Sequence, residues 1–197
     1  MEEYKSFPCI EVNTRADWRK WLEKNHTKDF SIWLILYKKN AFPNKTLNYK
    51  EAVEEALCFG WIDSKPNKRD ANSFYQFFSK RNPKSNWSRI NKNKVEELIQ
   101  KGLMTKSGFA MVELAKKLGT WDALNGVEDL VLPLELETLL KKNKVAKKNF
   151  DSFPKSTKRG ILEWIQNAKK QETKLNRIKE TVALAEKNIR ANSYSKK

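Results

Sequence analysis

YKEAVEEALCFGWIDS, residues 49–64, changes from a helical to a strand pattern, and that change decides the fold class. Val53, Ala56 and Leu57 give its first part an apolar stripe, Asn48 stands ahead as a cap with Glu51 three residues on, and Gly60 terminates the helix. Past Gly60, WIDS (61–64) reads as a short strand. Upstream, SIWLILYKK (31–39) is a β-rich run whose unbroken apolar character predicts burial. Downstream, the polar KPNKRDAN (65–72) precedes a further β run, SFYQFFSK (73–80). The two long β runs lie too far apart for a tight hairpin and are expected to pair with WIDS in one small antiparallel sheet. Before them comes an irregular start, then a helix over TRADWRKWLEKNH (14–26), capped by Thr14 with Asp17 three residues later. The loop AFPNKT (41–46) carries Pro43 and Asn44.

From residue 85 the pattern is helical. Ser85 or Trp87 opens a helix through Gln100, Thr105 starts another reaching Leu118, and Gly102 and Gly119 close them. After the acidic turn GVED, Pro133 stands ahead of LELETLLKKN, at a first helical turn that tolerates it. Further helices are expected across 144–150, from a Ser156 cap, and from about Gln171 to Arg190. In the last, Leu175, Ile178, Val182, Ala185 and Ile189 form one apolar seam, for which Ile161, Leu162, Trp164 and Ile165 supply a partner face. The class is therefore α+β: an amino-terminal module (1–126) with a small antiparallel sheet, followed by an all-helical module (127–197).

Composition narrows the function. Among 197 residues, 40 Lys+Arg against 24 Asp+Glu give a net charge of +16, and 11% aromatic content argues against a disordered chain. The charge is uneven: 13 bases and 11 acids in 1–75, 10 and 4 in 76–125, 17 and 9 in 126–197. Such asymmetry reports either an anionic partner or a solvated lysine surface. No run approaches the length of a membrane span, and the acidic start MEEYKSFPCI is unlike a secretory signal, so a cytoplasmic location is expected. Cys9 and Cys58 then read as free thiols.

One His and two distant Cys cannot furnish a Cys/His zinc set, no P-loop or GxGxxG is present, and no metal or cofactor is implied. His26, at a helix end, is a carbonyl cap or a base; Cys58, ahead of Gly60, is a core thiol or a reactive one. Glu51, Glu54 and Glu55 form either a solvated helix face or, for Glu51 and Glu55 four apart, an acid–base pair. Asp63, between Ile62 and Ser64, is either hydrogen-bonded to a loop or perturbed beside aromatic surface. The segment FFSKRNPKSNWSRINKNK (77–94) is richest in functional side chains: Lys80, Arg81, Lys84 and Arg89 stand with Asn82, Asn86 and the Trp87 indole around a proline turn. Cations with an interleaved aromatic suit phosphates and stacked bases. The same residues also suit a strand-to-helix connection with Trp87 as a core plug.

ALCFGWIDS (56–64), KSNWSRIN (84–91), GLMTKSGFAMVELAKKLGTWDAL (102–124) and VEDLVLP (127–133) resemble the YdeI/OmpD-associated protein family. The tail FPKSTKRGILEWIQNAKKQETKLNRIKETVALAEKNIRAN (153–192) resembles the bacteriocin-protection domain that defines it, so the likeness runs from about Trp18 to Asn192. It implies a bacterial, cytoplasmic, non-enzymatic stress-protection protein that binds an unknown protein partner or a small anionic ligand. No catalytic residue is carried over. Trp61, Asp63, Ser64, Asn86 and Trp87, with Arg81 near them, are the candidates for a shared pocket. Two alternatives stand beside this reading. One is a nucleic-acid-binding module using Lys80, Arg81, Lys84 and Arg89; the other is a small hydrolase with Asp63 or His26 as acid–base group.

Overall fold

A computed structural model of the chain describes residues 2–39, 41, 42 and 44–192; Pro43 of the 41–46 loop and residues 193–197 of the expected helical module lie outside the described residues. The chain divides into two compact units, Met1–Asp122 and Ala123–Lys197.

The first unit is built on a five-stranded sheet. Its strands are β1 (Glu3–Tyr4), β2 (Phe7–Glu11), β3 (Ile32–Tyr37), β4 (Trp61–Lys68) and β5 (Ser73–Lys80), in the order β1-β2-β3-β5-β4. The sheet is mostly antiparallel, as the sequence predicts, but β2 runs parallel to β3. Between them α1 (Arg15–Asn25) makes the crossover that a parallel pair requires. The amino-terminal residues expected to be irregular form β1 and β2, joined by Lys5 and Ser6 at φ 49° and 64°, the left-handed turn that suits a two-residue hairpin. β4 extends well beyond WIDS and pairs with β5. Its Pro66 is tolerated because β4 is an edge strand and the ladder shifts register between Asp63 and Pro66.

Period-two alternation splits β3 between two cores. Ile32, Leu34 and Leu36 face the main core, whereas Trp33 and Ile35 join Cys9 and Tyr75 in a smaller cluster on the opposite face. Burial on both faces explains the unbroken apolar run. The main core is closed by α1, by α2 (Tyr49–Cys58), and by α3 (Arg89–Gln100) and α4 (Lys106–Lys117), which supply Val95, Leu98, Val112 and Ala115. The capping boxes form as read: Thr14 with Asp17 at α1, Asn48 with Glu51 at α2. Ser88, rather than Ser85 or Trp87, caps α3.

One expectation is overturned on α2. Glu54 and Glu55 do not line a solvated face; they are 8% and 2% exposed. Arg15 reaches Glu55 at 2.7 Å and Glu54 at 2.9 Å, and Arg19 reaches Glu55 at 2.7 Å. Burial opposes the charge on both arginines, but hydrogen bonds and attraction from Glu55, with Glu54 at Arg15, hold their guanidiniums above the usual range. The network clamps the amino-terminal half of α1 to α2.

The second unit consists of α5 (Asn125–Glu128), α6 (Leu134–Lys142), α7 (Lys144–Ser152), α8 (Lys155–Gln166) and α9 (Gln171–Glu186). Its core joins Leu136, Leu140, Ala146, Phe150, Ile161, Leu162 and Ile165 to Ile178 and Ala185 of α9. The predicted seam holds at those two positions, but Ile189 is 47% exposed. The helix stops at Glu186, and Asn188 turns left-handed at φ 56°. Pro154 precedes α8, so Ser156 lies inside the helix rather than capping it.

Candidate functional site

At the carboxyl end of α1 the chain turns at His26. The buried Trp61 indole donates to the His26 carbonyl at 3.0 Å and packs edge-on against Trp21 and Phe30. The Arg15/Arg19–Glu54/Glu55 network holds the amino-terminal half of the same helix against α2. His26 is therefore positioned by both polar and apolar contacts.

The amino end of α4 approaches it across a close backbone contact. Thr105, the cap of α4, donates both its amide (3.1 Å) and its hydroxyl (2.6 Å) to the Cys58 carbonyl. Gly108 lies so near that a Cβ there would stand 2.3 Å from the same oxygen. This approach brings Ser107 beside His26: the Ser107 hydroxyl lies 3.0 Å from His26 Nε2, while His26 Nδ1 lies 2.9 Å from the Leu22 carbonyl.

The pair opens onto a cavity of about 640 Å³. Phe59, Gly60, Pro83, Ala110, Met111 and Leu114 supply an apolar wall, and His26, Thr27, Lys80, Arg81, Asn82 and Ser107 a polar one. This volume is in the range that holds a small organic ligand. Among the described residues, two cations line it and no carboxylate does. Lys80 donates to the Thr27 carbonyl at 2.7 Å. Arg81 is 5% exposed, with its guanidinium carbon 3.8 Å from the Trp87 ring centroid and one Nη donating to the Asn86 carbonyl at 2.6 Å. Its Nε is buried without a hydrogen-bond partner. Burial pushes its guanidinium down to about 10, with Asp63 acting in the opposite sense, so it remains a cation at neutral pH.

The residues singled out from sequence separate into several environments. Arg81 lines the cavity. Trp61 and Trp87, 0% and 2% exposed, are core side chains; Trp61 anchors His26, and Trp87 is the platform for Arg81. Asn86 contributes its carbonyl to Arg81. Asp63 accepts from the Tyr49 hydroxyl at 2.7 Å; burial and that contact push the Tyr49 phenol up to about 12. Ser64 is exposed, and its carbonyl accepts from Gln76 at 3.1 Å. Of the proposed phosphate-binding set, Lys80, Lys84 and Arg89 are exposed while Arg81 is withdrawn. Cys58 is fully buried, and burial pushes its thiol up to about 11. Among the described residues, no group of three or more His, Cys, Asp or Glu side chains could hold a metal ion.

Sequence reasoning passed over Ser107, Thr105 as a partner of Cys58, and Gly108. The signal was TKSG (105–108), where a glycine inside a helical pattern marks close packing.

Fold and site together define a two-unit α+β protein whose first unit carries a pocket lined by Lys80 and Arg81. Residues 10–111, more than half of the chain, match the family model described as Domain of unknown function (DUF8412), and the chain belongs to that family. Residues 129–188 match the model described as Bacteriocin-protection, YdeI or OmpD-Associated, so the carboxy-terminal region carries that family's domain. The likeness drawn over Trp18 to Asn192 is thus divided: ALCFGWIDS and KSNWSRIN fall within the first match, and most of the tail within the second. No curated protein and no solved structure matches the chain. Among the described residues, no helix is long and apolar enough to cross a membrane.

Proposed function

We propose that the chain is a cytoplasmic stress-protection protein whose amino-terminal unit binds a small anionic ligand with an apolar body, in the pocket between His26, Arg81 and Met111. The bacteriocin-protection match at residues 129–188 supports the stress role at family level. The observation that carries the ligand reading is the pairing of Lys80 and Arg81 with an apolar wall and, among the described residues, no acid. The Arg81 guanidinium on the pocket wall is 5% exposed, and a cation with so little water around it gains from an anionic partner. The basic segment contributes less to a nucleic-acid surface than its composition suggests, since Arg81 is turned onto Trp87.

Calorimetric titration with octanoate tests the reading. Binding to the wild type is expected, with Arg81→Met or Met111→Trp reducing affinity at least tenfold while the fold is retained. Wild-type affinity in a folded Met111→Trp protein, or no binding to the wild type, refutes it.

A further inference from the structure

We infer that Ser107 and His26 form a nucleophile–base pair able to take an apolar acyl group from an ester or thioester that enters the pocket. The inference rests on the pocket reading above and adds a chemical step to it.

The tautomer follows from the partners. The Leu22 carbonyl only accepts, so at 2.9 Å it fixes the proton of neutral His26 on Nδ1. Nε2 then presents its lone pair, and the hydroxyl facing it at 3.0 Å belongs to Ser107. A serine hydroxyl aimed at a basic nitrogen, with the far side of the ring held by a third group, is the arrangement that activates a weak nucleophile. Here a carbonyl replaces the usual carboxylate. It orients the ring without adding a full negative charge, so slow turnover is expected.

Three further features bear on the reaction. The pair lines a cavity whose other wall contains Phe59, Met111 and Leu114, which would hold the acyl chain. Lys80 and Arg81 line the same cavity and place positive charge near an oxyanion and its carboxylate product. Ser107 lies in the first turn of α4, fixed by the Thr105–Cys58 contacts and the Gly108 approach, so its position is set by backbone.

The step balances without a redox partner. The Ser107 oxygen bonds to the acyl carbon as its proton passes to His26 Nε2. Cleavage of the ester C–O or thioester C–S bond returns that proton to the departing alkoxide or thiolate. Water then adds to the acyl-serine, gives one proton to Nε2, and releases the carboxylic acid as Ser107 regains its proton.

Octyl fluorophosphonate, which forms a Ser–P bond and expels fluoride, is the probe. Intact-mass and peptide analysis should place one adduct on Ser107. Ser107→Ala, with unchanged melting, should lose it, and His26→Gln should slow its formation about 100-fold or more. Hydrolysis of p-nitrophenyl octanoate should fall in parallel. No adduct, an adduct elsewhere, or wild-type labelling in folded His26→Gln overturns the inference. If His26→Gln does not fold, the Ser107→Ala result decides alone. Octanoate calorimetry on the same samples separates the two readings: binding without an adduct removes only the nucleophile, and absence of both removes the pocket as well.

Discussion

Replacing Gly108 by alanine tests how the site is held together. The added carbon would stand 2.3 Å from the Cys58 oxygen and 2.8 Å from its carbon, where ordinary contact begins at 3.4 Å, so the two backbones must separate by about 1 Å. These two atoms are main chain and cannot rotate away, whereas the Met104 Cε, also at 2.8 Å, can. The same movement stretches the Thr105 bonds to the Cys58 carbonyl, now 3.1 and 2.6 Å. Overpacking costs about 1–3 kcal/mol and each weakened hydrogen bond roughly 0.5–1.5 kcal/mol. Alanine's better helix propensity returns about 1 kcal/mol. The net loss should be about 1–5 kcal/mol, centred near 3 kcal/mol. Urea unfolding followed by tryptophan fluorescence reports it, because six of the seven tryptophans lie in Met1–Asp122. Octanoate affinity should fall as well, since Ser107 moves with α4. A Gly108→Ala protein within about 0.5 kcal/mol of the wild type would refute the claim that this approach fixes α4.

The remaining expectations concern other parts of the chain. Gly160, inside α8 with nothing within 4 Å of a Cβ, should behave oppositely: Gly160→Ala should stabilise the second unit by roughly 0.5–1 kcal/mol in thermal unfolding. Glu55→Gln breaks the clamp between α1 and α2. Arg15 and Arg19 keep 33% and 29% of their side-chain surface in water, so the cost should be about 2–3 kcal/mol, below that of a fully buried pair. Cys9 and Cys58, both buried and with thiols raised by burial, should resist iodoacetamide at pH 8 in the folded protein and react once it is unfolded. Duplex DNA, if it binds, should be lost equally in Lys84→Ala/Arg89→Ala and in Lys141→Ala/Lys142→Ala; a selective loss in the first pair would restore the 77–94 segment as a nucleic-acid surface.

What sequence reveals here follows the range of the forces involved. The caps at Thr14 and Asn48 are settled within three residues, and they are legible. The double-sided burial of β3 is also legible, because both faces leave an apolar imprint on one segment. From sequence only WIDS reads as strand, because the polar KPNKRDAN follows it, whereas in the fold the edge position of β4 beside the register shift accommodates Pro66. Glu54 and Glu55 read as solvated because their partners, Arg15 and Arg19, lie far back in the chain. The aromatic motifs at Trp61 and Trp87 are found readily from composition, yet they support the site from behind. His26 and Ser107 are separated by 81 positions, and only the meeting of α1 with α4 brings them together. The +16 charge is a poor guide to the site, since the cation that lines the pocket most deeply, Arg81, is among the least exposed.

Methyl and ring resonances of the full chain, titrated with octanoate, test the central claim most directly. The account predicts shifts concentrated on the Met111 and Leu114 methyls and the His26 ring, with the Asp63–Ser64 backbone and the helices of Ala123–Lys197 unmoved. Shifts centred on Asp63 and Ser64, or spread over the lysine-rich second unit, would contradict it.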